Sequence, residues 1–184
     1  MTRVLVPVAD GSEEIETVTI VDVLRRAGAD VTLASVAPEL LVRASRDVQL
    51  KADCAIGDCL DTEWDLIALP GGMPGAEHLG GCAPLLELLA AQLKNDRWVG
   101  AICAAPAVVL SRNGLITDYE ATCHKNFLAD LYQQARAASE APVCVDRKLV
   151  TSQAPGTAMA FALQLVECLF GAEKRDEVAA PMAV

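Results

Sequence analysis

A chain of 184 residues, 53% of them hydrophobic, is long enough to bury a sizeable core and reads as one domain, residues 1–184. Its formal net charge of −10 and sequence pI near 4.6 disfavour nucleic acid and anionic membranes as partners. No apolar stretch reaches spanning length, so no membrane partner is expected.

The first residues, Met1-Thr-Arg-Val-Leu-Val-Pro-Val, run straight into a strand pattern instead of an export signal. Seven cysteines are scattered through apparent core segments with no CxxC pair, which suits a reduced, cytoplasmic protein. Cys54 and Cys59 come closest to a metal pair, but no histidine or further cysteine completes a set, so no metal is expected. No role beyond packing is expected for any cysteine other than Cys103.

Taken in order, Arg3–Val8 reads as a first, buried strand. Asp10-Gly-Ser12 is a turn with N-cap candidates, and Glu13, Glu14 and Glu16 load the first turn of the next helix with acid. That helix runs to about Ala27, with Ile15, Val18, Val21 and Leu24 turned inward, and Gly28 stops it. Asp30–Val36 is a second strand. Leu40–Arg43 and Val48–Lys51 suggest a hairpin-like excursion, and Asp65–Leu69 a further buried strand ended by Pro70-Gly71-Gly72-Met-Pro74-Gly75. Cys82–Lys94 is an amphipathic helix.

The next stretch, Trp98-Val-Gly-Ala-Ile-Cys103-Ala-Ala-Pro106-Ala-Val-Val-Leu110, organises the chain. An apolar run of strand length ends on a cysteine, and small residues then open a helix in which Pro106 occupies the first turn. Cys103 is thereby expected at the carboxyl end of a central strand and beside a helix N-terminus, where the dipole favours thiolate over thiol. A buried core cysteine is the alternative. Downstream, Asn113-Gly114 breaks the chain, and Ala121-Thr-Cys-His124 is a short strand or loop. Lys125–Ala138 reads as a helix, Pro142–Val145 and Leu149–Ser152 as a hairpin, Gly156–Phe170 as a long apolar helix, and Ala172–Ala180 as a last polar one. Strands alternating with helices argue for a doubly wound α/β sheet.

Four pieces besides Cys103 invite a site. Glu16 is an exposed first-turn acid that stabilises the helix dipole, although its place beside Ile15 and near Val18 leaves its facing ambiguous. His124, one of two histidines, is a nucleophile's partner or a histidine satisfied near the core. Pro70-Gly71-Gly72 is a tight turn or a place where backbone N–H groups reach a ligand, as an oxyanion hole requires. Thr151-Ser-Gln-Ala-Pro155-Gly156-Thr157 lines a pocket or caps the long helix. All four fall at strand ends or loops around one sheet edge.

Gly11-Ser-Glu-Glu-Ile-Glu16-Thr, Ser45-Arg46-Asp47, Leu69-Pro-Gly-Gly72, Ala101-Ile-Cys-Ala-Ala-Pro106 and Thr151-Ser-Gln-Ala-Pro-Gly-Thr157, in this order, resemble the ThiJ/PfpI superfamily, in the branch of DJ-one and bacterial YajL. The resemblance implies a flavodoxin-like, doubly wound, mostly parallel sheet sandwiched by helices, a homodimer, and a cysteine on a strained nucleophile elbow. The reactive cysteine falls on Cys103, the motif glutamate on Glu16 and the nearby histidine on His124; the oxyanion donors are the backbone N–H groups of Gly72 and Ala104. In the family, a protonated carboxyl at the glutamate bonds the cysteine sulfur.

Departures narrow the branch. Ala104 follows Cys103 where the protease-like members have histidine, and the GxCxG of glutamine amidotransferases is absent. Ala154 replaces a common glycine and Lys125 a common proline. The implied activity is a cofactor-independent glyoxalase or deglycase that takes small α-oxoaldehydes, or their early adducts, to 2-hydroxy acids. The alternative is an oxidative-stress sensor or redox-regulated chaperone working through oxidation of Cys103 to sulfinate.

Overall fold

The computed structural model describes residues 1–184. Eleven short strands form in chain order: β1 (Arg3–Val8), β2 (Asp30–Ser35), β3 (Leu41–Arg43), β4 (Gln49–Lys51), β5 (Cys54–Ala55), β6 (Leu66–Leu69), β7 (Trp98–Ile102), β8 (Glu120–Ala121), β9 (Ala137–Ala138), β10 (Val143–Asp146) and β11 (Leu149–Ser152). Seven of them make one sheet in the order β10-β11-β7-β6-β1-β2-β5. Every neighbouring pair in it is parallel except the β10–β11 hairpin.

Continuous apolar runs in the central strands are explained by burial on both faces. Leu5, Ile67, Leu69, Val99, Ala101 and Leu149 pack into one core. Their alternate neighbours Val4, Val6, Leu66, Ala68, Ile102 and Val150 pack into the other. The first core is covered by α2 (Gly75–Gly80), α3 (Ala83–Lys94), the π-helical segment Pro106–Ser111 and α4 (Leu128–Gln134). The second is covered by α1 (Glu14–Arg26), α5 (Ala158–Phe170) and Val178 of α6 (Ala172–Ala179). Gly100 lets α5 lie close on β7: a Cβ there would meet Leu165 Cδ2 at 3.0 Å and Phe161 Cζ at 3.1 Å. Full burial of each large side chain contributes roughly 1.5–3 kcal/mol.

Chain direction across the sheet reverses between β1 and β6, since β2 and β5 add on one side and β6, β7 and β11 on the other. The carboxyl ends of strands flanking such a switch point form the crevice where open α/β sheets bind ligands.

Three expectations need correcting. The inward face of α1 carries Glu16, Thr17, Ile20, Val23 and Leu24, whereas Ile15 and Val18 are 55% and 51% exposed and Val21 is half-buried. The helix has apolar residues on two faces, and a glutamate takes an inward position that hydrophobic periodicity assigns to an apolar residue. The helix expected over Lys125–Ala138 is interrupted at both ends. A 3-10 turn occupies Lys125–Phe127, and α4 stops at Gln134. Arg136 then ties the chain down, its backbone N–H donating to Tyr119 O at 3.0 Å and its guanidinium to Asp146 Oδ2 at 2.8 Å. That anchoring turns Ala137–Ala138 into a strand parallel to β8, so tertiary contacts override helix propensity. Finally, a short helix, α2, starts at Gly75, the last residue of the stretch read as ending the strand, and runs to Gly80. No helix is long and apolar enough to cross a membrane.

Candidate active site

Cys103 follows β7 directly and has φ +65°, a left-handed conformation that costs a non-glycine residue on the order of 1–3 kcal/mol. The fold holds it there from several sides. Its N–H donates to Ser152 O at 3.0 Å, and its carbonyl accepts from the His124 N–H at 2.8 Å. Gly71 lies against it: a Cβ at that position would sit 2.6 Å from Cys103 Cβ, 2.8 Å from Ile102 O and 2.9 Å from Ala104 N. Only a glycine allows the loop after β6 to pass this close to the turn after β7. The backbone N–H groups of Gly72 and Ala104 lie close enough to the Cys103 sulfur to favour its charged form.

Glu16 reaches this turn from the first turn of α1 and is fully buried. Its Oε2 accepts the Gly71 N–H at 2.7 Å. Oε1 has no partner of strict hydrogen-bond geometry, and the side chain facing the carboxyl is Cys103. Burial pushes the Glu16 carboxyl up to about 7, against the lowering effect of the Gly71 N–H and the Cys103 thiol. The thiol departs from the dipole-based expectation of a low pKa. Burial pushes Cys103 up to about 12, with the Glu16 charge as the next cause, and the Gly72 and Ala104 N–H groups offset only part of this. The Glu16 contribution exists only while that carboxyl is ionised. Thiol and carboxyl are therefore one coupled acid pair, in which a proton on Glu16 eases formation of the thiolate.

Glu13 and Glu14, the other two acids at the start of α1, are buried as well, at 7% and 8% exposed. Ser45 Oγ lies 2.6 Å from Glu13 Oε2 and 2.8 Å from Glu14 Oε2. Glu14 Oε1 accepts the Arg46 N–H at 2.8 Å, and Glu13 Oε1 accepts that of Ile15 at 3.4 Å. Burial works to raise the Glu14 carboxyl, but the backbone N–H groups and the Ser45 hydroxyl outweigh it and leave it below the usual range. These bonds fasten the loop of the β3–β4 hairpin to the start of α1 and form one wall of a cleft of about 310 Å³. Cys103, Ala104, Gly72 and His124 line the same cleft.

His124 Nδ1 accepts the Asn126 N–H at 3.2 Å, which leaves the proton of the neutral ring on Nε2. Gly71, read together with Gly72 as a donor toward substrate, directs its N–H to Glu16 instead. The Thr151–Thr157 stretch does two jobs: Pro155 lines the cleft, while Thr157 Oγ1 accepts the N–H of Ala154 at 3.1 Å ahead of α5. His78, the other histidine, is bonded through Nδ1 to Asp10 O at 2.9 Å. Ser45 and Arg46 belong to the cleft wall, yet only their place in the Ser45-Arg46-Asp47 motif marks them in the sequence.

A nearly parallel sheet with a cysteine at the carboxyl end of a central strand, and a buried carboxyl and backbone N–H groups beside the sulfur, defines a class of α/β proteins built around one thiol. The chain belongs to the DJ-1/PfpI family, whose model matches residues 2–168. It is 44% identical over 182 residues to Protein DJ-1 homolog B of Arabidopsis thaliana, covering 99% of this chain but only 41% of that protein. It is 34% identical over 181 residues to the glutathione-independent glyoxalase DJR-1.2 of Caenorhabditis elegans, covering 98% of this chain and 95% of that one. Among solved structures, oxidized Toxoplasma gondii DJ-1 superposes with a TM-score of 0.96 at 44% identity, covering 100% of this chain and 98% of that one.

Proposed function

We propose that this protein is a cysteine-dependent glyoxalase of the glutathione-independent type, converting small α-oxoaldehydes such as methylglyoxal and glyoxal, or their early glycation adducts, to 2-hydroxy acids. The observation that carries this reading is the Cys103 sulfur set between the Glu16 carboxyl and the N–H groups of Gly72 and Ala104, inside a cleft of about 310 Å³. The likeness to a worm protein named as such a glyoxalase supports it.

In this mechanism Glu16 takes the Cys103 proton, and the sulfur adds to the aldehyde carbon. The developing oxyanion lies toward the Gly72 and Ala104 N–H groups and takes the proton from Glu16, giving a hemithioacetal. Glu16, ionised again, removes the hydrogen from the former aldehyde carbon and returns it to the neighbouring carbon, while the hemithioacetal hydroxyl proton passes to the neighbouring carbonyl oxygen. A carboxyl with a pKa near 7 is suited to act as base and acid in turn. The product is a thioester, and water hydrolyses it to release the 2-hydroxy acid and the free thiol. His124, with its Nε2–H free, assists proton transfer at the cleft mouth. The reading includes no cofactor or metal, a single domain, a cytoplasmic location and a homodimer, for which exposed Ile15 and Val18 on α1 offer an apolar surface.

Steady-state kinetics on methylglyoxal, without glutathione or added metal, test the proposal. Lactate formation is expected to vanish in Cys103→Ser and nearly vanish in Glu16→Gln, with both variants folded. Wild-type rates in either variant overturn the mechanism.

A second reading, a sensor or redox-regulated chaperone acting through a Cys103 sulfinate, is favoured by one observation: the buried Glu16 carboxyl lies beside Cys103 and its Oε1 has no other partner. A proton there can be donated to a sulfinate oxygen. The similarity to a DJ-1 structure described as oxidized is consistent with it. Mild peroxide followed by intact mass and peptide mapping distinguishes the two readings. Addition of two oxygens at Cys103 in a protein inactive on aldehydes supports the sensor, and unmodified Cys103 rules it out.

A further inference from the structure

Far along the sheet from Cys103, at its opposite edge, two other thiols meet. Cys54 begins β5, the last strand, which pairs with β2 only through Ala34↔Cys54 and Ser35↔Ala55. The chain then makes a single 3-10 turn, Ile56–Cys59, which folds Cys59 back over the strand. The two sulfurs stand 3.5 Å apart, and no other pair among the seven thiols is in hydrogen-bonding contact. This proximity comes from one strand end and one turn, so it is built into the local fold.

The two cysteines are held differently. Cys59 is buried, and its sulfur donates toward Ala55 O at 3.8 Å. Its carbonyl accepts the indole N–H of Trp64 at 3.2 Å, and Trp64 is itself packed in the core. Cys54 is half-buried at the sheet edge and is the thiol of the pair that reaches solvent. Burial and the neighbouring Cys54 push the Cys59 thiol up to about 12, so Cys59 keeps its proton and is not the first to react.

We propose that Cys54 and Cys59 are a second redox site, a dithiol that peroxide closes to an intramolecular disulfide and that thiol reductants reopen. The Cys54 sulfur attacks the peroxide O–O bond, leaving a sulfenic acid and releasing hydroxide, which takes up the Cys54 proton as water. The Cys59 sulfur then attacks the Cys54 sulfur, and the sulfenic oxygen leaves as a second water with the Cys59 proton. Two thiols and one hydrogen peroxide give one disulfide and two waters. Each thiol loses one electron, and the peroxide gains two. Closing the gap from 3.5 Å to the bonded distance of about 2.05 Å moves the half-buried edge-strand sulfur, while Cys59 stays anchored by Trp64. The disulfide staples the sheet's terminal strand to the turn that follows it. The resolving thiol next door also keeps Cys54 from progressing to sulfinate.

The test treats the reduced, full-length protein with near-stoichiometric hydrogen peroxide, then denatures and alkylates it and measures its mass. Cys103→Ser is run in parallel to remove oxidation at that position. The proposal expects two fewer alkylated thiols, a mass deficit of two hydrogens, a mapped Cys54–Cys59 link and full reversal by dithiothreitol. Link formation should be independent of protein concentration, and in a Trp98→Phe background it should shift Trp64 emission. In Cys59→Ser, Cys54 should instead gain oxygen or form an intermolecular disulfide. Retention of both thiols in the wild-type protein, oxygen added at Cys54 with Cys59 still free, or a link to any other cysteine overturns the proposal. Because the wild-type result stands alone, a variant that misfolds does not protect the idea.

Discussion

Cys103, after a central strand, and the Cys54–Cys59 pair, on the outermost strand and the turn that follows it, belong to one fold, yet they are prepared for different chemistry. At Cys103 the neighbour is a carboxyl, the backbone is held at φ +65°, and N–H groups converge on the sulfur. At Cys54 the neighbour is another thiol, the strand is ordinary, and no donors converge. A carboxyl can hold and return a proton without leaving the sulfur's side, which suits addition to carbonyls or stabilisation of an oxidised sulfur. A second thiol can displace an oxygen from the first and so reset it. The partner, more than the depth of burial, sets what each sulfur can do, since burial raises both Cys103 and Cys59 to about 12.

The comparison is broken most severely by crowding the Cys103 turn. Gly71→Ala places a Cβ within 2.6 Å of Cys103 Cβ and within 2.9 Å of the Ala104 N, so the turn must shift. A displacement near 1 Å at reacting groups costs roughly 100-fold in rate. Overpacking of this kind also costs about 1–3 kcal/mol in stability. Aldehyde turnover should therefore fall by about two orders of magnitude, with a lowered midpoint in denaturant titration. Peroxide closure of Cys54–Cys59 should be unchanged, because the edge strand is not touched. Loss of both functions in Gly71→Ala would show the two thiol environments to be coupled.

A second effect is electrostatic. The folded-state pKa of Glu16 is raised from an ordinary 4.5 to about 7, so its contribution to stability is complete below about 4.5 and is lost as pH rises through about 7. The difference is on the order of 3 kcal/mol by pH 8. Glu16→Gln removes this titration while keeping an oxygen for the Gly71 N–H. Denaturant unfolding of the two proteins from pH 4 to pH 8 should show wild type losing stability relative to Glu16→Gln across that window. Parallel curves would mean that Glu16 titrates normally, and its use as base and acid in turn would fail with it.

Much of this organisation is legible in the chain. Alternation and apolar runs locate all seven strands of the main sheet but the two-residue β5, and the run ending at Cys103 marks the site edge without any resemblance. What periodicity misses has a common cause. Ile15 and Val18 look like a core stripe but face outward, because the inward positions hold Glu16 and Thr17, satisfied by Gly71 N–H and Glu13 O. Helix propensity over 125–138 is cut short by the bonds of Arg136 to Tyr119 O and Asp146. The role of Gly71 as the close-approach residue depends on a contact 32 positions away in the chain, which no local pattern encodes. Periodicity leaves the facing of Glu16 ambiguous, and only the resemblance puts its carboxyl, not that of Glu13 or Glu14, beside the cysteine.

Those other two glutamates give the mildest prediction. Ser45 Oγ has one proton and two buried carboxylate oxygens within 2.8 Å. It donates to one at a time and separates the two charges. In Ser45→Ala both lose that donor, but Glu14 keeps the Arg46 N–H and Glu13 the N–H of Ile15. The loss is then one charge-assisted hydrogen bond, about 1.5–3 kcal/mol, reduced where water enters the cleft wall. The folded-state pKa of Glu14 is held below its ordinary value, with burial opposed by these donors, so its contribution is present above the unfolded pKa and lost as pH falls through the folded one. Ser45→Ala should accordingly destabilise the protein more at pH 7 than at pH 3, measured by thermal unfolding at both. A substitution that acted only by leaving a small cavity would cost the same at either pH. Since Cys103 and Glu16 keep every partner they have, turnover at saturating aldehyde should change less than its dependence on aldehyde concentration, the reverse of the Gly71→Ala result.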